Sequence, residues 1–206
     1  GNPVRSSIGT NIPREEALAS FGLSVAKPTL LVLGGSLGAG SINKSIFEGI
    51  DSFNESGVQV IWQCGKRYFD SLEPQLKRLP ADNIRLVGFI SSMDSAYAAA
   101  DVVISRSGAL SVSELCLAGK ATILVPSPNV AEDHQTKNAM ALVNCAAAVL
   151  VKDEDAGRAL VAEAISLIQD ESRRKTLSSA IRSLARPDAT LRIVEEIEKL
   201  INTEQR

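Results

Sequence analysis

The chain has 206 residues, 45% apolar and 22% charged, with 22 Lys and Arg against 24 Asp and Glu for a formal net charge of −2. This length suits one large domain or two small ones, and the balance of charge argues against a general nucleic-acid binder. No apolar run reaches the ~20 residues of a membrane span, and the opening "GNPVRSSIG" lacks signal-peptide character.

Short Val/Ile/Leu runs alternate with helical stretches along the chain. "TLLVLGG" (29–35) precedes a predicted helix near Ile42–Phe53, and "VQVIWQC" (58–64) one near Tyr68–Leu79. "IRLVGF" leads to a short helix around Met93–Ala100, and "DVVISR" to "ALSVSELCLAG". "ATILVP" precedes a helix near His134–Cys145, and "AAAVLV" closes the series before a long helical tail. Runs without polar alternation are buried on both faces, as in a parallel sheet. The expected fold is α/β: a Rossmann-like doubly wound parallel sheet of about six strands, with ligands at the carboxyl ends of its strands. Cys64, Cys116 and Cys145 are too far apart for a metal-ligand pair. An odd count points to free, mostly buried thiols in a reducing cytosol.

The first strand ends in Gly34, Gly35, Ser36, Leu37 and Gly38. A turn this bare lets backbone N–H groups approach a phosphate, though it also suits a plain tight turn. The dinucleotide pattern G-x-G-x-x-G fails here, because Asn43 stands where a third glycine belongs. The second strand ends in Gln63, Cys64 and Gly65, without the acidic residue that holds an NAD ribose. The ATP-loop pattern fails because Asn43 precedes Lys44-Ser45.

Three further loops fall at the same sheet edge. In "GFISSM" (88–93), Phe89 could stack on a base, although core packing is the simpler reading for it, and the Ile90 backbone could pair with a base edge. "SRSGALSVSE" (105–114) brings backbone donors to a helix start, with Glu114 placed to accept from ribose hydroxyls; Ser111-x-x-Glu114 equally fits a capping box. "SPNVAEDHQTKNA" (127–139) offers Gln135 for sugar hydroxyls, or is a solvated loop capped by Asp133. His134, the single histidine, has no orienting partner in the sequence, so a binding or exposed role is expected rather than a general base. "DED" (153–155) resembles a metal-binding Asp-x-Asp, but its place before a helix favours a dipole role.

"GNPVR" (1–5), "GGSLGA" (34–39), "AYAAADVVISRSGALSVSE" (96–114), "DHQTKNA" (133–139) and "ARPDAT" (185–190) together resemble the MurG family. Its members are the UDP-N-acetylglucosamine–N-acetylmuramyl-(pentapeptide) pyrophosphoryl-undecaprenol N-acetylglucosaminyltransferases. The resemblance covers essentially the whole chain. It implies one half of a GT-B glycosyltransferase: residues 1–206 as the C-terminal donor-binding domain, with 187–206 a tail helix directed to an N-terminal domain that would carry the catalytic base. It implies no metal and no cofactor. The implied partners are UDP-N-acetylglucosamine and, through the other domain, lipid I. The full-length protein would then be cytoplasmic and peripheral on the inner membrane. Carried over residue by residue, Arg5 and Ser36 contact the diphosphate, and the Ile90 backbone pairs with uracil. Ala109, Leu110, Ser111, Val112, Ser113 and Glu114 cover phosphate and sugar, with Glu114 on the ribose, and Gln135 reads the N-acetylglucosamine. Leu37 departs from the glutamine common in the family, and His134 stands where relatives often have glutamine. Other GT-B UDP-sugar enzymes, such as a 2-epimerase or a galactosyltransferase, are the nearest alternatives. A non-catalytic UDP-binding module comes next, then a dinucleotide oxidoreductase.

Overall fold

Six Val/Ile/Leu runs form six strands: β1 Thr29–Leu33, β2 Gln59–Gln63, β3 Ile84–Val87, β4 Val102–Ser105, β5 Ala121–Leu124 and β6 Val149–Leu150. In this computed structural model, which describes residues 1–5, 7–9 and 11–203, they make one parallel sheet of order β3-β2-β1-β4-β5-β6. The expected six-stranded doubly wound sheet is thus present. Its order reverses between β1 and β4, where such sheets open a crevice at their carboxyl edge.

The helices are α1 Arg14–Ser20, α2 Gly40–Glu48, α3 Ile50–Ser56, α4 Lys66–Leu76, α5 Met93–Ala99, α6 Ala109–Ala118, α7 His134–Val143, α8 Ala156–Gln169, α9 Glu171–Ser183 and α10 Ala189–Thr203. Alternate strand residues point to opposite faces, so each strand feeds two cores. Leu30, Val32, Val60 and Trp62 pack under α2, α3 and α8. Leu31, Leu33, Ile61 and Val103 pack under α1, α5, α6 and α7. These side chains are essentially all buried, each stabilising by about 1.5–3 kcal/mol, which explains the lack of polar alternation.

Local differences from the sequence reading have physical causes. The helix expected near Ile42–Phe53 is two, broken at Gly49, where the Val161 side chain of α8 fills the space a Cβ would need. The "AAAVLV" strand shrinks to Val149–Leu150 at the sheet edge. The helical tail is three helices, with Asp170 between α8 and α9 accepting from the Arg173 N–H as a cap. Cys64 and Cys116 are buried and free as expected, whereas Cys145 is exposed. Among the described residues no helix is long and apolar enough to cross a membrane.

Leu191, Val194, Ile197, Leu200 and Ile201 form an apolar stripe along the tail helix α10, and every one of them is exposed. Segments with few buried contacts open at low free-energy cost. Amide exchange of Val194–Ile201 is therefore expected to be much faster than that of Thr29–Leu33. Equal protection would show that α10 is covered in solution.

Candidate functional site

Parallel register sets Gln63 beside Leu33 and Leu33 beside Ser105, so three strands end together at the β2-β1-β4 edge. A cleft of about 340 Å³ opens there. It gathers Arg5, Gly35, Ser36, Ile90, Leu110, Ser111 and Glu114 from four separate segments, and Leu33, Gln63, Phe89, Met93, Tyr97, Ser105 and Arg106 complete its lining.

The glycine turn has two distinct causes. Gly35 has φ +79 and open space around a notional Cβ, and it lines the cleft. Gly38 has φ +83, and a Cβ there would lie 2.2 Å from the Cys64 carbonyl and 2.5 Å from the Tyr68 ring. Gly65 meets it from the other side: a Cβ at Gly65 would sit 2.3 Å from the Gly38 nitrogen. The β1–α2 and β2–α4 turns are thus pressed backbone to backbone. Gly34 is similarly tight, 3.0 Å from the Gln63 carbonyl. The bareness of Gly34 and Gly38 serves this packing, and only Gly35 of the three faces the cleft.

Two further contacts brace this edge. Buried Asn43, which takes the place of a motif glycine, donates to the Cys64 carbonyl (2.9 Å) and accepts from Trp62 Nε1 (3.0 Å), tying α2 to β2. Arg106 follows β4 and donates to the Val125 (2.9 Å) and Pro126 (3.1 Å) carbonyls, to Ser41 Oγ (3.1 Å) and to Asp153. Ser41 Oγ also donates to Asp153. One guanidinium therefore joins the first turn of α2 to the turns after β4, β5 and β6. Asp153 thus accepts from both Arg106 and Ser41 at the start of a helical turn, and the N-cap Asp155 of α8 makes no cap bond.

Glu114 lies at the centre of the cleft wall. It sits at 3.7 Å from Arg5 Nε, and the buried Tyr97 hydroxyl stabilises its charged form. Burial pushes its carboxyl above the ordinary carboxylate range; Arg5 and Tyr97 act in the opposite sense. Tyr97 is itself pushed strongly up by burial and by the Glu114 charge, so it stays a hydroxyl donor. The capping box does not form. Gly108 is the N-cap of α6, Ser111 lies inside the helix, and no side chain caps it. Arg5 is placed by its own segment: Asn2 Nδ2 donates to Ser113 Oγ (3.0 Å) and to the Ala109 carbonyl (3.3 Å), docking residues 1–5 on α6.

The family model described as "Glycosyltransferase family 28 C-terminal domain" matches residues 29–193. The chain belongs to this family. Curated relatives named UDP-N-acetylglucosamine--N-acetylmuramyl-(pentapeptide) pyrophosphoryl-undecaprenol N-acetylglucosamine transferase include one from Parabacteroides distasonis, 53% identical over 98% of this chain and 55% of the relative. Another, from Porphyromonas gingivalis, is 50% identical over the whole chain and 55% of its own length. The crystal structure of Acinetobacter baumannii MurG superposes with a TM-score of 0.75 at 27% identity, covering 93% of this chain and 55% of that one. The family 28 domain described here thus spans about half the length of the curated relatives it matches.

The other expected residues of this family 28 domain are placed as follows. Ala109, Val112 and Ser113 do not line the cleft: Val112 packs against the apolar layer, and Ser113 is held by Asn2. Gln135 lies outside it on α7, where its Oε1 accepts from the Ser127 N–H (2.9 Å), leaving its amide as donor only. Asn138 Nδ2 donates to the Ser107 carbonyl (3.0 Å). Asp133 occupies the N-cap of α7 but makes no cap bond, and Glu132 and Asp133 both carry positive φ. His134 Nδ1 donates to the Ala131 carbonyl (2.8 Å) and the residue is exposed. Core packing of Phe89 does not occur: it is 47% exposed at the cleft rim, with Lys66 Nζ 5.7 Å from its ring centre. Leu37 is 79% exposed at the turn tip. Gln63, Tyr97 and Arg106 had no role in the sequence reading, although Gln63 ends a strand and Tyr97 and Arg106 fall inside the 96–114 motif.

Proposed function

We propose that this family 28 domain is the UDP-N-acetylglucosamine-binding half of an inverting glycosyltransferase. The whole enzyme moves N-acetylglucosamine from UDP-N-acetylglucosamine to lipid I, giving lipid II for peptidoglycan synthesis. The observation that carries this reading is the convergence of Arg5, Ser36, the Ile90 backbone and Glu114 on one cleft at the sheet's switch point. The names of relatives about half identical to the chain supply the sugar and the acceptor.

In this reading the uracil lies by Phe89 and Ile90, and Glu114 takes the ribose hydroxyls. Gly35, Ser36 and the N-terminal ends of α2 and α6 face the diphosphate, whose charge Arg5 and the helix dipoles offset as UDP departs. The acceptor and the base that activates it belong to the other half. The full-length enzyme would sit on the cytoplasmic face of the inner membrane.

The test is a titration. UDP and UDP-N-acetylglucosamine are expected to bind and raise the melting temperature, and NAD to do neither. The chain alone is expected to transfer no sugar to a lipid I analogue; turnover above background would overturn its being half of a site. Glu114→Gln should weaken UDP binding by about 1–3 kcal/mol, the range for a charge-assisted hydrogen bond, with little change in stability because no helix cap is lost. Hydroxyl donors prefer the ionised carboxylate, so UDP affinity should fall as acid protonates Glu114. That fall should begin at a higher pH than an ordinary carboxylate would give, because burial has raised the group.

A further inference from the structure

A second cavity, of about 630 Å³, adjoins the cleft described above and shares only Tyr97 with it. It lies between the carboxyl ends of α5 and α6 and one face of α9. Glu171, Arg174, Lys175, Ser178 and Arg182 recur at helical spacing, so α9 turns a continuous polar face to it. Lys120, the residue before β5, and Arg14, the first of α1, line it as well.

The charges in this cavity do not cancel. Arg14 is paired with Asp101 at 2.9 Å, and Lys175 with Glu171 at 2.6 Å. Asp101 also accepts from the Thr29 N–H at 2.8 Å. Among the described residues, Lys120, Arg174 and Arg182 make no ion pair and no side-chain hydrogen bond. Against these three cations stand Asp94, whose carboxylate accepts from the Ser95 N–H, and the carboxyl ends of α5 and α6, each worth about half a negative charge. About one positive charge is left over.

Lys120 is the decisive group. It is half-buried, and burial pushes its ammonium below the ordinary lysine range; Asp101 opposes this and Arg14 adds to it. A cation withdrawn from water without an ion-pair partner costs free energy that a bound anion would offset. Arg182 runs beside it: a Cβ at Gly119 would lie 3.2 Å from Arg182 Cδ.

We propose that this cavity binds a soluble molecule carrying a diphosphate, with Lys120, Arg174 and Arg182 as its anion contacts. Guanidinium forks suit paired phosphate oxygens, and an ammonium serves as the point charge beside them. The volume is that of an ordinary small-molecule pocket, so there is room for more of the ligand than its phosphates.

Calorimetric titration with inorganic pyrophosphate tests this, with UDP present at saturation to keep pyrophosphate out of the other cleft. A single pyrophosphate is expected to bind. Lys120→Met and Arg182→Gln are each expected to weaken it by about tenfold or more, while UDP affinity stays within about threefold of the original. Arg182 is exposed, so its variant should fold even if the Lys120 variant does not. Absence of pyrophosphate binding by the unmodified chain overturns the proposal, as does binding that a folded variant leaves unchanged. Attachment to phosphatidylglycerol vesicles without any binding of pyrophosphate overturns it too, because the ligand is then a membrane surface. Neither substitution touches the donor cleft, so the result stands whether or not UDP binds.

Discussion

Gly38→Ala is expected to destabilise the chain by about 2–5 kcal/mol. Holding alanine at φ +83 costs about 1–2 kcal/mol, because the left-handed region crowds its Cβ. The added methyl would also press on the Cys64 carbonyl and the Tyr68 ring, and overpacking of this kind costs about 1–3 kcal/mol. The Cys64 carbonyl cannot retreat easily, since it also accepts from Asn43. For a chain of this size the melting temperature should fall by about 4–20 °C. Gly35→Ala is the control. It has nearly the same φ but nothing near its Cβ, so only the strain of about 1–2 kcal/mol is expected. Denaturant melts of both variants separate the two causes. Equal losses would show that the interlock of the two turns does not matter.

Arg106→Ala is expected to cost about 2–4 kcal/mol. The pair is largely out of solvent, with Arg106 and Asp153 side chains 17% and 22% exposed. Removing the guanidinium strands the Asp153 carboxylate and leaves the Val125 and Pro126 carbonyls without this donor, which is dearer than losing a surface ion pair. Replacing both ends by apolar residues, Arg106→Met with Asp153→Leu, should recover much of the loss. The single variant should also weaken UDP binding, because the first turn of α2 and the turn after β4 lose their shared tether. A melt unchanged within about 0.5 kcal/mol would show that the four turns hold themselves in place.

The sheet was legible because its strands are buried on both sides, so Val, Ile and Leu run on without polar interruption. The turns were legible as places, since glycine and small residues mark strand ends. Their reasons were not. Gly38 looked like room for a phosphate, yet its constraint comes from Gly65 and Cys64, residues of another turn. Gln63 and Ile90 are 27 residues apart, and Arg106 and Asp153 are 47 apart. No local pattern links such pairs; only the register of the sheet brings them together. α10 was legible in part. Its amphipathic stripe is plain in the sequence, but periodicity says that a face is apolar and not what covers it.

The docking of residues 1–5 on α6 makes the start of the chain a mechanical part of the cleft. Asn2 is the latch, with one amide bridging Ser113 and Ala109, and Arg5 is the arm that brings positive charge to Glu114. A pull on this segment strong enough to open the latch would carry the guanidinium away from the carboxylate. The cleft would then become more negative without any change in its sheet or helices. The seating of Asn2 thus sets the electric field at Glu114, the residue that follows the latched Ser113 in α6.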